Sequence, residues 1–202
     1  MKALFKKTLR ALCLFLVFPL WVLYAALGAL AGRTTVFYGF SQLMGLIPGI
    51  TGNYLRHAFY HLSLARLGED ACICFCATIS HPDTEIGSNA YIGPFSNLGL
   101  CLIGDDTLLG TGVHVMSGFG QHAYDRLDAP IRLQGGALAK VRVGGDCWIG
   151  NHSVVGADVG ARSVVGAASL VNKPIPEFSV AVGNPARVIR DRRDGPDKAD
   201  KS

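Results

Sequence analysis

The chain has 202 residues, half of them hydrophobic and only 17% charged, with a formal net charge of +4. That length fits one domain with appendages, and the scarcity of charge asks for a buried or lipid-facing portion. So small a basic excess offers nucleic acid no footprint, and a nucleic-acid partner is not expected. Cys13, Cys72, Cys74, Cys76, Cys101 and Cys147 lack the paired spacings of a zinc site and read as small apolar residues of a reducing compartment. Alternation would put Cys72, Cys74 and Cys76 on one face of an extended strand.

In chain order, residues 1–52 read as a hydrophobic membrane-anchor region. The run "ALCLFLVFPLWVLYAALGALAG" (11–32) carries no charge and slightly exceeds the ~20 residues of a spanning helix. Lys2, Lys6, Lys7 and Arg10 precede it, which favours a cytoplasmic N-terminus. A secretory signal shares that basic start, with "GALA" ending at Ala31 as its cleavage site. The length of the run and a second apolar stretch, "VFYGFSQLMGLIPGI" (36–50), favour a retained anchor. Gly39, Gly45, Pro48 and Gly49 would let that second stretch turn back, so the expected topology is a helical hairpin that returns the chain to the cytoplasmic side of the membrane.

Residues 53–70 read as an amphipathic linker helix with Asn53 as N-cap. Leu55, Phe59, Leu62 and Leu67 would form its apolar face, with Arg56, His57 and Arg66 away from it. His57 and His61 are four apart, but no third ligand is near.

From residue 73 a period takes over. Ile73, Ile79, Ile86, Ile92, Leu98, Ile103, Leu109 and Val115 follow one another at five to seven residues, and Val143, Ile149, Val155, Val159, Val165 and Val171 resume the pattern. Glycine follows many of them directly, and Ala90, Ser96, Thr107, Ser153, Ser163 and Ser169 stand fourth after an aliphatic. A helix cannot keep one face buried at period six, whereas short strands joined by tight corners can, each sending one aliphatic inward. Stacked, they make a parallel β-solenoid of roughly five turns, with one corner trimmed between Val155 and Val159. The interruption, "GFGQHAYDRLDAPIRLQGG" (118–136), sits in a loop of about 117–141. A rigid rod has few concave features, so chemistry calls for such a loop.

"VGGDCWIGNHSVV", "VVGAASLVNKPIPEFSVAVGNPARVIR" and the isoleucine-glycine hexads resemble the hexapeptide-repeat acyltransferases, in particular the maltose, galactoside and exopolysaccharide O-acetyltransferase branch. The likeness covers about residues 71–190. It implies a mainly β fold, a left-handed parallel β-helix, with homotrimers whose active sites lie between subunits and acetyl-CoA as donor; no metal is expected. The hydrophobic N-terminus lies outside the likeness to the small soluble members, and 191–202 read as a disordered polar tail.

In that family a long loop after the middle coils carries the catalytic histidine, and "QHAYD" supplies His122, Tyr124 and Asp125. An imidazole suits the general-base role in moving an acetyl group from a thioester to a hydroxyl. About two more residues separate Val115 from His122 than in the soluble sugar acetyltransferases, and Gly118 and Gly120 would absorb them. His114, on the preceding strand, is the rival base. His81 reads as a turn residue, and His152 as either a surface residue or part of the donor groove. The resemblance assigns Trp148, Asn151, Ala167, Asn172, Lys173 and Arg187 to the CoA site, with Trp148 beside the loop and the two cations on phosphates. On the acceptor side it assigns Asn97 and Asp125. The expected activity is O-acetylation of a sugar in a surface polysaccharide or its lipid-linked precursor, at the cytoplasmic membrane with the catalytic domain facing the cytoplasm. Two other readings stay open: a γ-class carbonic anhydrase-like zinc enzyme using His81, His114 and His122, and a non-catalytic trimeric membrane scaffold.

Overall fold

The computed structural model describes residues 2–194. Three helices come first: α1 (Lys2–Ala31), α2 (Arg33–Gly45) and α3 (Gly49–Ser63). A three-faced prism of parallel strands follows, two or three residues per strand over most of its length. Face 1 stacks Arg66–Leu67, Glu85–Ile86, Cys101–Ile103 and Val141–Val143, and single bridges at Val159 and Ile175 carry it upward. Face 2 stacks Cys72–Ile73, Tyr91–Ile92, Leu108–Leu109, Trp148–Ile149, Val164–Val165 and Ser179–Val182, closed by the antiparallel Arg187–Asp191. Face 3 stacks Thr78–Ile79, Asn97–Leu98, His114–Val115, Val154–Val155 and Leu170–Val171. Six levels are therefore present on faces 1 and 2. The sequence period gave about five, because the last level, at Ile175 and Ala181, lies beyond the recognised repeat, as does Leu67 in the first.

Every aliphatic of the period points inward, each at most 2% exposed. Full burial of such a side chain contributes about 1.5–3 kcal/mol. The hydroxyls in fourth place are buried too and stitch neighbouring coils: Ser96 donates to Gly110 O (3.1 Å), Thr107 to Gly144 O (2.7 Å), Ser153 to Gly166 O (2.9 Å) and Ser163 to Pro176 O (2.9 Å). Small polar residues recur there because each donor must be short enough to reach a carbonyl one coil away.

The three edges of the prism differ. From face 1 to face 2, and from face 2 to face 3, the inward residues are always six apart, as in Ile86–Ile92–Leu98 and Ile103–Leu109–Val115. Three positions past each inward residue a left-handed residue turns the corner: Asp70, Cys76, Asn89, Phe95, Asp106, Asp146, His152, Arg162, Ala168 and Phe178, with Gly112 in the same place. The third edge, from face 3 back to face 1, takes seven residues after Ile79, five after Leu98, twenty-eight after Val115 and four after both Val155 and Val171. The trimmed corner and the long loop thus fall on one edge. The alternation expected for Cys72, Cys74 and Cys76 fails at the last of them: the Sγ atoms of Cys72 and Cys74 lie 4.0 Å apart, whereas Cys76 has already entered a corner.

The helices cap the open bottom of the prism. An exposed first coil would leave strand-edge groups unpaired. Here Ser41 Oγ accepts from Ile79 N (2.7 Å), Gly45 O accepts from Cys76 N (2.9 Å) and Arg56 Nε donates to Ile73 O (2.7 Å). Arg56 is fully buried, and its Nη1 also donates to Met44 O (3.1 Å) and Ile47 O (2.6 Å). This corrects its expected place on the polar face of the linker helix. The helix begins at Gly49 with Pro48 as N-cap. Asn53 is therefore inside it, where Oδ1 accepts from Arg56 Nη2 (2.6 Å). At the other end, the tail expected from residue 191 is structured as far as Asp194: Arg192 donates to Arg162 O (3.0 Å), and the Arg193 guanidinium sits 4.8 Å from the centre of the Phe178 ring. The rest of that tail, 195–202, lies outside the described residues.

Candidate active site

The long excursion leaves the third edge after Val115 and returns at Val141. Its two limbs pair with each other: Ala139 N donates to Ser117 O (2.9 Å), Ala137 N to Gly120 O (2.7 Å) and Ala123 N to Gly135 O (2.9 Å). His122 lies on the outgoing limb within this paired stretch and is exposed. The returning chain passes so close there that a Cβ at Gly136 would stand 2.1 Å from Gln121 O and 2.8 Å from His122 N, so only glycine fits. Beyond it, Gln134 closes the tip by accepting from Arg126 N (3.0 Å) and donating to Arg126 O (2.7 Å) and Ala129 O (2.8 Å). At the base, the Phe119 ring packs over Gly156 in the next coil. The arm is thus a braced structure that holds an imidazole away from the wall. Asp125 lies in its exposed outer part.

The other candidate residues divide between edges. Asn151 and Ala167 stack in consecutive coils at the edge between faces 2 and 3, where Ala168 N donates to Asn151 O (2.8 Å) and Asn151 Oδ1 accepts from Thr111 N (2.9 Å). Arg187 stands above them, since Ala186 N donates to Leu170 O (2.8 Å) and Arg187 pairs with Val182. Asn172 and Lys173 sit on the third edge, where Val171 O accepts from Gly156 N (3.0 Å), and therefore share that edge with the arm. Lys173 and Arg187 do not converge within one chain.

Between the two edges lies face 3, whose outward positions include Thr78, Asn97 and His114 in register. Asn97 Nδ2 donates to Thr78 Oγ1 (2.8 Å). His114 is exposed on a strand of that face. Trp148 is 56% exposed on face 2. Face 2 is opposite the edge from which the arm departs, so within one chain Trp148 is not beside the loop.

His152 occupies a left-handed corner with its ring against Gly112 of the coil below. His81 is a turn residue as expected, its carbonyl accepting from Thr84 N (3.2 Å). Burial lowers its pKa more than the nearby Asp83 carboxylate raises it. Among the described residues no three His, Cys, Asp or Glu side chains are grouped to hold a metal. Sequence reasoning missed the bracing residues Phe119 and Gln134. Their signals exist only as a lone aromatic and a lone amide in a non-repeating stretch.

No family model matches the chain. Residues of this chain are 36% identical over 120 positions to the galactoside O-acetyltransferase of Escherichia coli, covering 54% of this chain and 57% of that protein. The first three curated relatives are spanned over only 30%, 58% and 57% of their own lengths. Among solved structures, a maltose O-acetyltransferase from Clostridium difficile superposes with a TM-score of 0.61 at 24% identity, over 78% of this chain and 87% of that one. The hexapeptide-repeat acetyltransferase VCA0836 of Vibrio cholerae, complexed with acetyl coenzyme A, gives a TM-score of 0.55 at 22% identity, over 81% and 91%. The chain therefore shares the stacked-coil fold of these hexapeptide-repeat acetyltransferases.

Proposed function

We propose that this chain is an acetyl-CoA-dependent O-acetyltransferase acting on a sugar hydroxyl of a surface polysaccharide or its lipid-linked precursor, with His122 as general base. The observation that carries the reading is the braced histidine arm on a rod that is otherwise regular. The similarity to a galactoside O-acetyltransferase and the shared fold with a maltose O-acetyltransferase support the reaction class. A neighbour in complex with acetyl coenzyme A supports the donor.

The division of candidate residues between edges supports a homotrimer. His122, Asn172 and Lys173 belong to one edge, while Asn151, Ala167 and Arg187 belong to another. Apposing the arm edge of one protomer to the Asn151 edge of the next brings both sets into one cleft. There the imidazole takes the proton of the acceptor hydroxyl as its oxygen attacks the thioester carbonyl. The thiolate of CoA leaves, and no covalent acyl-enzyme is needed. Asn97 and Asp125 hold the sugar by its other hydroxyls, and Lys173 and Arg187 meet the phosphates of CoA. The apolar N-terminal helices support a location at the cytoplasmic face of the membrane, where a lipid-linked acceptor would be within reach.

The test is CoA release from acetyl-CoA with lipid-linked and soluble saccharides as acceptors, in the parent and His122→Ala. Acceptor-dependent release that collapses in the variant is expected. Undiminished transfer in His122→Ala would remove the general-base assignment, and stoichiometric zinc in the purified protein would replace the whole reading with a metal enzyme.

A further inference from the structure

Helix α1 is long and apolar enough, over the 26 residues Lys6–Ala31, to cross a bilayer. Its two ends, however, are tied to the same end of the prism. Near the N-terminus Lys6 and Arg10 pair with Asp70, at the first corner between faces 1 and 2. Just past the C-terminus Arg33 pairs with Asp83 (3.4 Å), on the third edge, and donates to Ser63 O (3.1 Å). Midway, Trp21 Nε1 donates to Leu62 O (2.9 Å) of α3. Helix α3 is itself tied to the bottom coil, by the Arg56–Ile73 bond at its middle and by Ala65 N donating to Pro82 O (2.8 Å) just past its C-terminal end.

From Arg10 to Ala31, two residues before Arg33, α1 is ~32 Å long at the standard rise. Coils are spaced by only about 5 Å along the prism. A helix standing along the prism axis would carry one end far from the first coil, so α1 must run across it. Were such a helix to cross the bilayer, the coil beside it would be drawn into the hydrocarbon with Asp70, Asp83 and their short, open strand edges, a costly arrangement.

The side of α1 turned away from α3 is apolar throughout. Leu12, Leu16, Leu23, Leu27 and Leu30 fall within one narrow stripe, and Leu30 is 84% exposed. Lys7 stands exposed at one end of it, next in sequence to Lys6 and close to Arg10, both of which are engaged with Asp70. We propose that α1 lies in the plane of a single leaflet as a monotopic anchor. Its leucine stripe enters the lipid, its basic end meets anionic headgroups, and the prism stands upright on the surface. This rests on the membrane-bound reading above and replaces a crossing hairpin with an in-plane one. The occupant of the stripe is lipid and not a second copy, because the whole run between Arg10 and Arg33 is uncharged and the basic residues flank it, as at a headgroup boundary.

The full chain tests this in sealed vesicles of phosphatidylethanolamine and phosphatidylglycerol and in sealed cell membranes. Lys7→Cys and Thr34→Cys are labelled with a membrane-impermeant maleimide from each side, against the parent as background. Both are expected to react from the same side. Reaction from opposite sides overturns the in-plane helix while leaving membrane attachment intact. Leu16→Glu with Leu23→Glu should lower vesicle binding about 100-fold without changing the melting temperature, since both side chains are already outside the fold. Unchanged binding overturns the stripe as the lipid face. A parent protein that ignores vesicles and buries α1 between copies overturns the membrane reading itself.

Discussion

Two edges of the prism always turn in six residues, and the third takes anything from four to twenty-eight. The constant edges each place a left-handed residue three positions past an inward aliphatic, and the hydroxyls next to these corners bond to the neighbouring coil. There a residue gained or lost would move every inward side chain out of register. The third edge has no such left-handed series, so its length is free, and the chain uses that freedom to throw out the His122 arm. Regularity holds the wall together; the tolerant edge carries the chemistry.

The division predicts which substitutions cost activity and which cost stability. The largest effect belongs to the arm: His122→Ala should reduce kcat/KM by about 10³-fold with no shift in melting temperature. A fall in both would mean that the arm is part of the wall's stability. Next comes the cap. Arg56→Met leaves the carbonyls of Ile73, Met44 and Ile47 without their donor in a buried place and should cost about 3 kcal/mol in urea unfolding. Within the wall, Gly150→Ala would put a Cβ 2.4 Å from Ala167 N, and forcing the coils apart there should cost about 2 kcal/mol. The smallest effect sharpens the contrast on the arm itself. Gln134→Ala removes the closure of the tip, worth about 1 kcal/mol, and should lower turnover roughly fivefold while leaving global unfolding unchanged.

Much of the wall was legible in advance. The inward positions from Ile73 to Val171 are the aliphatic series that the period marks, and the trimmed corner after Val155 is where the spacing shortens. The cap was not legible. Arg56 looks like a solvent-facing cation on a helical wheel, because a wheel sees one helix and not the strand edge beneath it. The helix start at Gly49 was also missed: Pro48 holds the extended N-cap conformation, while Asn53, the better N-cap by side chain, is engaged with Arg56. The arm lies between these cases. Its position and its histidine stand out as a break in the repeat, but its bracing by Gln134, Gly136 and Phe119 depends on which limb residues meet.

The sequence by itself determined a solenoid, its inward column, the place of the arm and the apolar run at the N-terminus. These are local or periodic properties, and each coil repeats the same short-range solution of burying one aliphatic and turning one corner. Only the tertiary structure decided that the candidate donor residues fall on two separate edges, that a buried guanidinium closes the bottom coil, and that both ends of the first helix meet the same end of the prism. Those outcomes depend on contacts between residues far apart in the chain, where a residue's partners, and not its type or spacing, set what it does.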